Sequence, residues 1–289
     1  MCETCRRNNI NPEFESIFHG EYEYNPEMEW SDYWAKAKSY ANPLFNWLSG
    51  FSSSAPRVNT SVQQAQPSPV VSTSVPASTV PTYTRWETVA LEKRILYVME
   101  LLIRNYRFPL NGASGLVGNL MEESGLLPNR LEGSSAATPM RAKNFQNVVK
   151  DFSANEIMNR SYHNKTGPQL PGVGLAQWTY TSRRAGLFQH TFKGKQLGST
   201  ILFDMDAQVD YLVKEMQTKY RNVFNVISAP GITVNNASDE VVYNFETPGS
   251  VLDTNRQKLP RSDHRVQNVF VRRRKSAQHA YTVYKQVHP

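Results

Sequence analysis

Between residues 52 and 83 the chain contains little besides Ser, Thr, Pro, Val, Ala and Gln, with prolines at 56, 67, 69, 76 and 81. Such a stretch has no periodic apolar face to bury and favours an extended backbone, so it reads as a linker. It divides the 289 residues into a short head, 1–51, and a body, 84–289, large enough for one ordinary domain.

The two parts differ in charge. The head carries eight acids and four bases, net −4, and the linker only Arg57; with +7 for the whole chain, the body holds +10. A basic body suits an anionic target: cell wall, membrane surface or nucleic acid. The head also has eleven aromatics, among them Trp30, Trp34 and Trp47. That is too aromatic for simple disorder and too short to bury them all. It reads as a docking segment, with a helix expected over residues 31–48.

Several classes are disfavoured. Cys2 and Cys5 form a lone Cys-x-x-Cys without a second pair, so neither a metal site nor a cofactor is expected, and the body needs no disulfide. No apolar run approaches the roughly 20 residues of a membrane span, and the polar start does not resemble a secretion signal. The bases are scattered apart from the run Arg272 to Lys275, which reads as a solvated helix face or a protein contact, so nucleic acid is an improbable partner.

Periodicity makes the body mainly helical. Helices are expected over Trp86–Tyr106; over Ala113–Ser124, with Asn111 as N-cap and Gly125 as stop; around Phe145–Phe152; after the capping box Ser153 to Glu156; over Val209–Tyr220 and Val241–Phe245; and over Val266–Tyr284. A small hairpin is expected within 163–180, where Gly and Pro accumulate.

The second of these helices carries Gly118-Asn-Leu-Met-Glu-Glu-Ser-Gly125. At 100° per residue, Ala113, Leu116, Val117, Leu120 and Met121 form one stripe. Glu123 falls at its edge and Glu122 on nearly the opposite side. Partial burial and the carbonyl end of the helix both favour the protonated carboxyl at Glu123, as a proton donor to a glycosidic oxygen requires. Downstream, Gly172-Val-Gly174-Leu-Ala-Gln177-Trp178-Thr179 offers a tight turn, a polar amide and a flat ring. Tyr243-Asn-Phe-Glu246-Thr-Pro248 ends a helix beside another acid.

These stretches, in this order, resemble the phage tail lysozyme family, similar in plan to goose-type lysozymes and lytic transglycosylases. The resemblance covers roughly residues 86–287. It implies an α+β lysozyme-like fold and a muramidase acting on the β-1,4 bond between N-acetylmuramic acid and N-acetylglucosamine of bacterial peptidoglycan. It makes Glu123 catalytic, with Gly174, Gln177, Trp178, Thr179, Tyr243 and Glu246 around the substrate. It also implies a virion tail protein aiding genome ejection, docked through the head to tail or internal virion proteins. Glu132, Asp151, Glu156 and Glu246 are open as a second carboxylate. The alternatives are a transglycosylase of the same fold and a non-catalytic tail protein. About 46 residues separate Gly125 from Gly172, more than in compact members, so this insertion is a candidate for shaping the groove.

Overall fold

The computed structural model describes residues 84–289; the helix expected over residues 31–48, the docking head and the Cys2–Cys5 motif lie outside them. A short 3-10 turn, Trp86–Thr88, leads into α1, Leu91–Glu100, which a π-helical stretch extends through Leu101–Asn105. α2 follows, Leu110–Ser124, and Gly125 stops it with φ 65°. It starts earlier than expected: Pro109 precedes the first turn, and Asn111, rather than capping it, donates its side-chain amide to Ile232 O at 2.8 Å.

α2 is the central element. Its stripe is fully buried at Ala113, Leu116, Val117 and Leu120 and partly buried at Met121. It packs mainly against α8, His264–Val287, and α7, Val234–Glu240. Gly118 allows the close approach to α8: a Cβ there would lie 2.3 Å from Ala277 N. A π-helical stretch, Val241–Glu246, prolongs α7 and ends at Thr247, whose φ is 47°. After it, residues 249–264 are anchored to the body, since Val251 and Leu259 join Val242, Val266 and Phe270 in an apolar cluster. α4, Thr181–Gln189, α5, Met205–Lys219, and α6, Arg221–Ile227, complete the helical body.

Among the described residues the strands form two antiparallel ribbons, β1 (Arg141–Lys143) with β2 (Val149–Asp151) and β3 (Thr191–Phe192) with β4 (Lys195–Gln196). The first falls where the spacing of Phe145, Val148, Val149 and Phe152 suggested a helix. Asn144 decides the outcome: its side-chain oxygen accepts from Gln146 N and Val148 N, both at 2.9 Å, closing a turn. Arg141 and Asp151 then pair across the ribbon. The hairpin expected within 163–180 does not form; that stretch contributes only single bridges, Ser161 with Thr166 and Leu131 with Val173. The capping box does form, with Ser153 Oγ accepting from Glu156 N, and opens α3, Ala154–Met158. Among the described residues no helix is long and apolar enough to cross a membrane.

Candidate active site

Glu123 sits in the last turn of α2, its side chain 21% exposed. Its partner comes from α8. Arg273 lies three residues after Phe270 and four before Ala277, both buried, so it shares their inward face. Its side chain is only 3% exposed. Nη1 donates to Asn119 O at 2.9 Å, and Nη2 donates to Glu123 Oε1. Asn119 is itself held by Gly115 O and Ser238 O, at 2.8 and 3.0 Å. The guanidinium is therefore pinned to the same helix that carries the glutamate.

The basic run Arg272 to Lys275 is thus not a uniformly solvated face. Arg272 lies 3.3 Å from Glu122 and Arg274 pairs with Asp239, while Arg273 points into the protein.

Glu246, at the end of the π-helical stretch, completes the cluster. Its Oε2 lies 3.3 Å from the same Arg273 Nη2. The side chain is 4% exposed, and neither oxygen receives a hydrogen bond from a donor. An ionised carboxylate so placed is poorly compensated. Burial, then the neighbouring Glu123 charge, push the Glu246 carboxyl well above the usual range, against the pull of Arg273. Protonation resolves the deficit, since a carboxylic acid can donate to Glu123. Burial therefore favours the protonated form at Glu246, an acid for which the sequence offered no such expectation. Glu246 is also too enclosed to be the substrate contact that the resemblance implied.

The Gly172–Thr179 segment is built into the body from both sides. Gly174 (φ 77°) makes the turn, where a Cβ would lie 2.7 Å from Gln208 Oε1. Gln208, fully buried on α5, accepts from Leu175 N at 3.0 Å and donates to Pro128 O at 2.6 Å. Gln177 keeps a positive φ of 45° and donates its amide to Arg130 O and Gly174 O, both at 3.0 Å. The exposed Thr179 donates to Gln177 O.

Trp178 does not present a ring to a ligand. It is 0% exposed, and its Nε1 donates to Glu215 Oε2 at 2.9 Å. Glu215 also receives two bonds from Arg183, at 2.8 Å each. This buried Arg183–Glu215–Trp178 unit fastens the segment to α4 and α5. Tyr243 is partly buried: its hydroxyl donates to Leu259 O at 2.7 Å, with Lys258 and Arg261 over its ring.

Of the carboxylates considered as a second acid, Asp151 pairs with Arg141, and Glu156 serves the capping box and Lys150. Glu132 is placed differently. It follows Arg130 on the segment that bridges to Val173, and its Oε2 accepts from Gly172 N at 3.0 Å. A Cβ on Gly172 would lie within about 3 Å of both Glu132 Oε2 and Gln177 Oε1, so the two side chains converge there. Among the described residues no cluster of His, Cys, Asp and Glu suits a metal ion.

A family model described as phage tail lysozyme matches residues 93–284, more than half of the chain. No curated protein and no solved structure matches.

Proposed function

Since the chain belongs to the phage tail lysozyme family, whose substrate is peptidoglycan, we propose that it cleaves the glycan strand at the β-1,4 bond between N-acetylmuramic acid and N-acetylglucosamine. Glu123 is the proton donor. The observation that carries this reading is the convergence of Glu123 and Glu246 on one nitrogen of Arg273. Two carboxyl groups in contact and one buried cation favour a state with a single proton on the pair. That proton resides on Glu246 at rest. Passing it to Glu123 leaves Glu246 ionised beside Arg273, and Glu123 then protonates the bridging oxygen as the C–O bond breaks. Glu246 and Arg273 act through Glu123 and are positioning residues.

Glu132 is our candidate for the base that activates water, because it stands beside Gln177 and keeps one carboxylate oxygen uncommitted to Gly172. With that base the reaction is hydrolysis. Without one, the sugar's own hydroxyl attacks and the reaction is a lytic transglycosylation. End-group mass spectrometry of digested peptidoglycan tests the assignment: reducing muramic acid ends support it, and 1,6-anhydro ends exclude Glu132 as the water base.

The biological setting we propose is a virion tail, from which the enzyme opens the wall for genome ejection. The acidic, aromatic head would dock to tail or internal virion proteins, and the linker would give the enzyme reach. Support comes from the family's association with phage tails and from the composition of residues 1–83.

A further inference from the structure

The insertion between α2 and the Gly172 segment has a surface that the cleavage reaction does not use. Among the described residues, five of the seven large apolar side chains open to solvent fall between 148 and 180. Tyr162 stands out because it is both exposed, at 62%, and held. Arg160 lies over its ring, 4.0 Å from the centroid, and Phe145 meets it edge-on with centroids 5.6 Å apart. Arg160 cannot swing away freely, since it donates to Pro168 O and Gln169 O at 2.8 and 2.7 Å. Single exposed aromatics are ordinary. A ring braced by an anchored guanidinium and by Phe145 and still mostly open to solvent is a prepared surface.

Backbone contacts tie the segment beneath that surface to the candidate site. Gln169 N donates to Lys143 O at 2.7 Å, and Leu170 Cδ1 lies 3.4 Å from where a Cβ of Gly133 would be. Two residues on, Gly172 O accepts from Glu132 N at 2.9 Å, and Gln177 bonds Arg130. The segment that anchors Arg160 at Gln169 thus runs on, three residues later, to the Gly172 backbone that Glu132 holds. Residues 141–170 also carry five bases against two acids, which suits a polyanionic strand.

We propose that Tyr162, braced by Arg160 and Phe145, is a stacking subsite for a pyranose ring of the glycan strand beyond the cleaved bond. The C–H face of the sugar packs on the exposed ring, and the bases nearby meet the strand's carboxylates. The inference rests on the reading of the chain as a glycan-cleaving enzyme, and it makes the insertion a determinant of preference for long strands.

The test uses the full chain and peptide-free glycan strands, long and tetrasaccharide. For Tyr162→Ala the ratio of kcat/KM on long to short substrate falls about fivefold through KM, while Tyr162→Phe stays within about twofold of wild type. A parallel calorimetric titration in a Glu123→Gln background separates binding from cleavage, and there Tyr162→Ala weakens long-strand binding by a similar factor. Equal binding with and without the tyrosine ring overturns the subsite, whatever the rates. Tyrosine-dependent binding by a wild-type chain that cleaves no strand leaves the subsite standing and removes the muramidase reading.

Discussion

Glu123 and Glu246, 123 residues apart in sequence and on different helical segments, approach the same nitrogen, Nη2 of Arg273. One carboxyl is partly open at the end of α2 and the other is enclosed, so protonation of the enclosed group governs the charge felt by the open one. The following outcomes depend on that arrangement.

The protein's stability should fall as pH rises above the ordinary glutamate range. The folded-state pKa of Glu246 is raised, so between its unfolded and folded values the native state binds more protons than the unfolded state. Stability is then full below the unfolded pKa and declines on the alkaline side by up to about 1.4 kcal/mol per pH unit for one proton. Urea melts across pH 4 to 8 should show this decline in wild type and a flatter dependence in Glu246→Gln. Parallel curves for the two proteins would remove Glu246 as the titrating group.

Arg273→Met should destabilise the fold by about 3 kcal/mol, because Asn119 O and the carboxyl pair lose a buried partner. Much of that loss should return in Arg273→Met with Glu123→Gln, where the carboxylate left without its cation is gone. A double variant as unstable as the sum of both single variants would contradict the coupling.

Trp178 should behave as a core residue. Trp178→Phe keeps most of the ring but leaves Glu215 without its indole donor, which should cost about 1–3 kcal/mol. Trp178→Ala should cost about 3–5 kcal/mol. Thermal melts check both. Loss of glycan affinity in Trp178→Phe with an unaltered melting curve would instead make the ring a sugar contact.

Gly118→Ala should disturb the site from a distance. The added methyl meets the Ala277 backbone, which cannot rotate aside, so α8 must move and take Arg273 with it. We expect destabilisation of about 1–3 kcal/mol together with a shifted pH profile of activity. A normal melt and profile would show that the helices separate without cost.

How far these features were legible in the sequence depends on the reach of the interaction that decides each. The stripe of α2 and its stop at Gly125 are local, as are the Ser153–Glu156 capping box and the apolar faces of α5 and α8, and all were readable. The ribbon at 141–151 was misread because Phe145, Val148, Val149 and Phe152 imitate helical spacing. The side chain of Asn144, which closes the turn, does not register in that count. Trp178 was misread because its partner Glu215 lies on another helix. Arg273 was partly within reach: among four consecutive bases, Arg273 and Arg274 lie in phase with both Phe270 and Ala277, and spacing alone does not choose between them. The burial of Glu246 was not, since it arises from helices brought together only in the folded body.

The claim that Glu123 delivers the proton has a direct measurement: the rate at which folded Glu123→Gln and wild type release soluble fragments from purified peptidoglycan. The account predicts steady release by wild type and a rate lower by at least about a hundredfold for the amide, which keeps the shape but cannot donate as an acid. Equal rates from both proteins would contradict it.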